Sequence, residues 1–132
     1  MNESKVTLWL LMRNDMASMN PGKACAQAHH AASQLYAQNM IMSSNVYNMW
    51  RRQTGYSFGV VKTLAMPLEQ IEHFITQATI DSGDNRAALV IDPTYPVRDG
   101  DVTHYIHIAT CGYILGRNDE VPQTLFDQPL MP

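Results

Sequence analysis

Positive charge is scarce in this chain. Nine lysines and arginines face twelve aspartates and glutamates, for a formal net charge of −3. That balance supplies no overall field to attract nucleic acid, so any RNA contact has to be a local patch. Cysteine is scarcer still: Cys25 and Cys111 lack metal-ligand spacing, and no leading apolar run with a cleavage site accompanies them. Free thiols in a reducing, cytoplasmic setting are therefore expected. The longest apolar stretch, residues 8–12, falls far short of the roughly 20 residues a membrane-spanning helix needs, so no membrane partner is expected. Charged residues are few at 16%, yet 45% of the 132 residues are hydrophobic, a balance that excludes disorder and suits one globular domain.

The apolar pattern predicts an α/β fold. Residues 6–12 form a near-continuous apolar run, as in a strand buried on both faces. Asn20 and Pro21 open a helix over 21–38, in which Ala24, Ala28, Ala31 and Leu35 offer a narrow packing face. A short helix follows over 46–54, then a strand over 56–65 and an amphipathic helix over 68–80. A strand over 87–91 stops at Asp92-Pro93, and a β-rich run over 103–115 follows the turn Arg98-Asp-Gly-Asp101. The order is β-α-α-β-α-β-β, with helices on both faces of the sheet in a three-layer α/β/α arrangement. The domain is expected to span 1–116, and the proline-containing tail 117–132 reads as irregular.

The long helix carries the chemistry. At about 100° per residue, Lys23, Gln27, His30 and Gln34 fall within an arc of roughly 60°. Lys23 sits in the first turn, where a cation opposes the helix dipole while free N–H groups attract anions, which points to a use other than folding. Asp92, at a strand's end, is placed to accept a proton or to hold Lys23 charged; ordinary turn chemistry is the competing reading. His29 and His30 point about 100° apart and share no metal, and Cys25 reads as a packed thiol rather than a nucleophile. His104 and His107 face opposite sides of a strand and read as structural. Arg51 and Arg52 beside Trp50 and Tyr47 suit either an RNA end or a core tryptophan with solvated arginines.

With a first strand ending in Arg13-Asn-Asp15, then Gly22-Lys23, Ala26-Gln27 and His30-Ala31-Ala32, the chain resembles the type 2 peptidyl-tRNA hydrolase family. The resemblance continues through Gly59-Val60-Val61-Lys62 and Val90-Ile91-Asp92, covering about residues 5–115. It implies a four-stranded mixed sheet, a homodimer, peptidyl-tRNA as partner, no cofactor, and metal-independent cleavage of the ester joining a peptide to the terminal ribose of tRNA. It also implies Lys23, Gln27 and Asp92 as active-site residues, with Arg13, Asp15 and His30 bordering the cleft. After Asp92 the text departs from the family pattern of two threonines. Thr103 is the stand-in for the catalytic threonine and Thr94 a substrate-binding one, while Gln34 reads as an ordinary exposed position. The competing function is a non-catalytic module on the same fold that binds an RNA end, an anion or a protein.

Overall fold

The computed structural model describes residues 4–55, 57–80 and 83–132. Its elements are β1 (Val6–Arg13), α1 (Pro21–Ile41), α2 (Asn45–Arg52), β2 (Val60–Met66), α3 (Leu68–Ile80), β3 (Arg86–Asp99) and β4 (Val102–Arg117). The sheet order is β2-β1-β4-β3, with β1 parallel to β2 and the other neighbours antiparallel. The α/β class, the mixed four-stranded sheet and the order of elements are as expected from sequence. Tyr56, where the second strand was expected to begin, lies outside the described residues.

β1 is buried on both faces, and its alternation builds two cores. Leu8, Leu10 and Met12 pack with α1 and α2, whereas Trp9 and Leu11 pack with α3. Burial of that order contributes roughly 1.5–3 kcal/mol per large side chain, which is why the strand needs no polar face. α3 lies tight against the sheet because β4 offers Gly112 beneath it; a Cβ there would stand 2.3 Å from Ile75 Cδ1.

β3 is longer than expected. Asp92-Pro93 does not stop it, and with β4 it continues as a two-stranded ribbon closed at Gly100-Asp101. Gly100 has φ 60°, the left-handed value that the first position of a two-residue hairpin turn demands. Proline is tolerated because β3 is an edge strand. A strand residue's N and C=O point to the same side, so Pro96, whose carbonyl accepts from Lys23, also turns its nitrogen outward, where no ladder bond is lost.

Two irregularities interrupt the β3–β4 ladder. Asp92 pairs with Ile108 and Tyr95 with Ile106, so Pro93 and Thr94 oppose one residue; Val90 pairs with Cys111 and Ile91 with Ala109, leaving Thr110 extra. Each bulge shifts the two-residue alternation by one position.

The tail also differs from expectation. Gln123–Asp127 forms a 3-10 helix, Val121 and Leu125 enter the α3-side core, and Leu130 bridges Leu64 on the outer edge of β2. Met131 N donates to Thr63 O at 2.9 Å, and Ala65 N to Pro129 O at 3.4 Å.

Candidate active site

All four polar residues of the α1 stripe meet β3. Lys23 Nζ donates to Pro96 O at 2.8 Å, Gln27 Nε2 to Asp92 Oδ2 at 2.8 Å, and Gln34 Nε2 to Leu89 O at 3.0 Å; His30 Nε2 stands 3.7 Å from Asp92 Oδ2. Gln34 is therefore not an ordinary exposed position but a clasp on the strand. Gln27 lies in the helix's buried face with Ala24, Ala31 and Leu35, and the alanines on either side let α1 approach closely enough for a short amide to reach Asp92. The helix terminus itself offers less than its position suggested. Asn20 Oδ1 accepts Lys23 N at 2.8 Å, Ala24 N bonds Asn20 O, and Pro21 has no N–H.

Asp92 is buried in mid-strand, not at a strand end. Its Oδ1 accepts from Thr94 N at 2.8 Å and Thr94 Oγ1 at 3.2 Å, while Oδ2 takes Gln27. Burial raises its pKa, but the Gln27 amide, the Thr94 N–H and hydroxyl, and the His30 charge outweigh it, leaving the carboxyl below its ordinary 3.8. Such a carboxylate stays ionised at neutral pH and is a weak proton acceptor. It forms no ion pair with Lys23 among the described residues, so its partners are Gln27, Thr94 and His30.

Thr103, expected as the catalytic threonine, stands near the ribbon tip opposite Arg98. It stands five positions along the strand from Ile108, the partner of Asp92, or roughly 17 Å. The threonine that reaches the site is Thr110, which donates to Gln27 Oε1 at 2.6 Å and is fully buried. This bond fixes which way the Gln27 amide faces. The bulge turns Thr110 toward α1 together with its neighbour Cys111, whose Sγ lies 3.8 Å from Gln27 O. Thr110 opens the buried run of β4, and the mostly apolar residues 111–115 that follow it are the one signal that sequence offered for it. Thr94 gives both its N–H and its hydroxyl to Asp92.

Arg13 and Asp15 lie at the end of β1, where they tie that strand to β4 and to the start of α3. Arg13 grips Asp15 with two bonds of 2.8 and 3.2 Å and donates to Ala109 O at 3.0 Å, while Asp15 Oδ2 accepts Leu68 N at the start of α3. The Arg13 hydrogen bond, opposed by burial and aided by Leu68 N, lowers the Asp15 pKa. Lys23 Nζ also lies 5.2 Å from the centre of the buried Tyr95 ring. Between α1 and β3 opens a cleft of about 290 Å³, lined by His30, Gln34, Asp92 and Thr94 among others. A larger crevice of about 360 Å³, lined by Gln77, Ile80, Pro122, Gln123 and Thr124, carries no titratable side chain and stands apart from this chemistry.

The remaining candidates fall away from the cleft. Cys25 is exposed rather than packed, and burial pushes the Cys111 thiol up to about 11, so Cys111 holds no thiolate at neutral pH. Trp50 is buried with its indole N–H on Val60 O, the core reading of that residue, and Arg51 lies 6.0 Å over the Tyr47 ring. His104 and His107 are both exposed on the ribbon.

No curated protein matches the chain. The family model described as peptidyl-tRNA hydrolase PTH2 matches residues 6–94, a span that holds Arg13, Asp15, Lys23, Gln27, His30, Asp92 and Thr94 and stops where the ribbon begins. That match covers more than half of the 132 residues, and the chain belongs to the peptidyl-tRNA hydrolase PTH2 family.

Proposed function

We propose that this protein hydrolyses the ester joining a peptide to the terminal ribose of tRNA, with Lys23, Gln27, Asp92, His30 and Thr110 as its working residues. The observation that carries this reading is the chain Thr110–Gln27–Asp92–His30, buried in its first three members, whose exposed last member borders the open cleft beside α1. Asp92 is too well satisfied to serve as the base, so its task is to orient Gln27 and draw the imidazole of His30 toward itself. His30 takes a proton from the attacking water and returns it to the departing ribose oxygen. Water oxygen bonds to the ester carbon, the bond from that carbon to the ribose oxygen breaks, and the products are a peptide carboxylate and a free ribose hydroxyl. Lys23 stabilises the negative charge that develops, or the adjacent phosphate. Thr94 holds Asp92, and Arg13 and Asp15 anchor the end of β1 against β4 and α3.

Peptidyl-tRNA as substrate, a cytoplasmic setting and a homodimeric state belong to the same reading; no helix among the described residues is long and apolar enough to cross a membrane. A second reading, a non-catalytic binding module, is favoured by one observation: Lys23 already engages Pro96, a residue beyond the matched span. Incubation with peptidyl-tRNA separates the two. Free tRNA released by wild type, and lost in Lys23→Ala and Asp92→Ala, supports the hydrolase; release no greater than background sinks it. Release that neither substitution slows leaves the activity standing and removes these site assignments. Sedimentation velocity at several concentrations tests the dimer, which a concentration-independent monomer excludes.

A further inference from the structure

Lys23 carries a flexible four-carbon stem, and its ammonium has several rotamers to choose from. The groups that restrict it come from just beyond the family match, which ends at Thr94. Pro96 O accepts its proton at 2.8 Å, and the Tyr95 ring covers a second side at 5.2 Å. Tyr95 is itself fixed. It is 0% exposed, its hydroxyl lies 3.2 Å from Ser18 Oγ and 3.9 Å from Met19 Sδ, and both partners sit in the loop that leads from β1 into α1. The bulge at Pro93-Thr94 is what brings the ring there. Tyr95 and Asp92 pair with Ile106 and Ile108, two positions on the same face of β4, so both turn toward α1.

The nature of these partners decides what the arrangement is for. A carboxylate against Lys23 would hold the ammonium but cancel its charge. A carbonyl oxygen and an aromatic face are neutral, so they fix its position and leave the charge available to an anion. We propose that Tyr95 is the positioning residue of Lys23: its ring, with the Pro96 carbonyl, sets the ammonium where the anionic part of the substrate arrives. The catalytic half of this statement rests on the hydrolase reading above; the positional half does not.

The test pairs a spectroscopic readout with kinetics. In wild type the ε-methylene protons of Lys23, assigned by their loss in Lys23→Arg, should be shifted upfield by the Tyr95 ring current and should move on titration with inorganic phosphate. Tyr95→Phe keeps the ring and should keep both the shift and kcat within about twofold, whereas Tyr95→Leu should return the shift to its unfolded value and lower kcat roughly tenfold with a smaller change in KM. An unshifted Lys23 signal in wild type overturns the proposal whatever the variants do, which covers a Tyr95→Leu chain that fails to fold. So does a Tyr95→Phe variant that retains the shift yet loses as much kcat as Tyr95→Leu, since packing or the hydroxyl would then be responsible. Absence of hydrolysis in wild type counts against the function proposed above and leaves the ring-current comparison to decide the position of Lys23.

Discussion

The sheet has two edges, and they are guarded by different means. At β2 the chain covers itself with backbone: Met131 N and Pro129 O bond the strand at Thr63 and Ala65. At β3 the cover is made of side chains from α1, with Gln34 on Leu89 O and Lys23 on Pro96 O, and Pro93 and Pro96 bring no donors of their own. Either device blocks pairing with another strand. Only the second lays polar tips along a cleft, so the residues that guard the β3 edge are also the residues available for chemistry. Gln27 and Asp92, buried between those two clasps, depend on the same close approach of α1 to β3.

The largest effect is expected from cutting the polar cover at its centre. Gln27→Leu leaves Asp92 short of a buried donor and Thr110 without its acceptor, a loss of about 2–3 kcal/mol by the usual worth of hydrogen bonds to charged groups. Urea unfolding checks the stability. Peptidyl-tRNA hydrolysis should fall by about a hundredfold or more, the scale of losing one preorganised polar group. A variant as stable as wild type would mean that the network does not hold the edge. Cutting the other edge should act differently. Deleting residues 129–132 removes two backbone bonds at about 0.5–1.5 kcal/mol each, opens β2 to association that sedimentation detects, and leaves hydrolysis unchanged. Reduced activity without association would show that the tail serves the site instead.

A smaller effect separates the edges by pH. The folded pKa of Asp92 lies below its ordinary 3.8, so its contribution is fully present above that value and is lost as pH falls through the folded value. Stability measured by urea titration should drop below pH 3.8 in wild type. In Asp92→Asn the slope should be shallower by at most about 1.4 kcal/mol per pH unit, with the Asp15 share remaining. Equal slopes in the two proteins would show that Asp92 is not held as its contacts indicate.

The same contrast explains what was legible in the sequence. α3 was read at its observed limits because Leu68, Ile71, Phe74, Ile75 and Ala78 keep one helical period against a sheet that keeps one face. The α1 stripe was legible for the same reason. β3 was cut short because Asp92-Pro93 read as a terminator, a rule that holds inside a sheet and lapses at its edge. Thr110 and Tyr95 were missed because each sits at a bulge, where the two-residue alternation that assigns a face is broken. Thr103 was the stand-in for the catalytic threonine through the family resemblance, which says nothing about a ribbon whose tip is far from its base. The tail was unreadable because its order comes from Thr63 and Ala65, more than 60 residues away, and not from any period of its own.

The smallest effect concerns the two thiols, one on each side of that boundary between helix surface and strand interior. Cys25 is exposed on α1, away from the face that carries Gln27, so Cys25→Ser should change stability by no more than about 0.5 kcal/mol and hydrolysis not at all. Cys111 is buried against Gln27 and Thr110, with its pKa raised to about 11. A thiol reagent at neutral pH should therefore consume one equivalent rapidly in the folded wild type, none in folded Cys25→Ser, and the second equivalent only on unfolding. Fast reaction of Cys111 in the folded protein would mean that the Thr110 bulge opens in solution. The donor that fixes the Gln27 amide would then be lost with it.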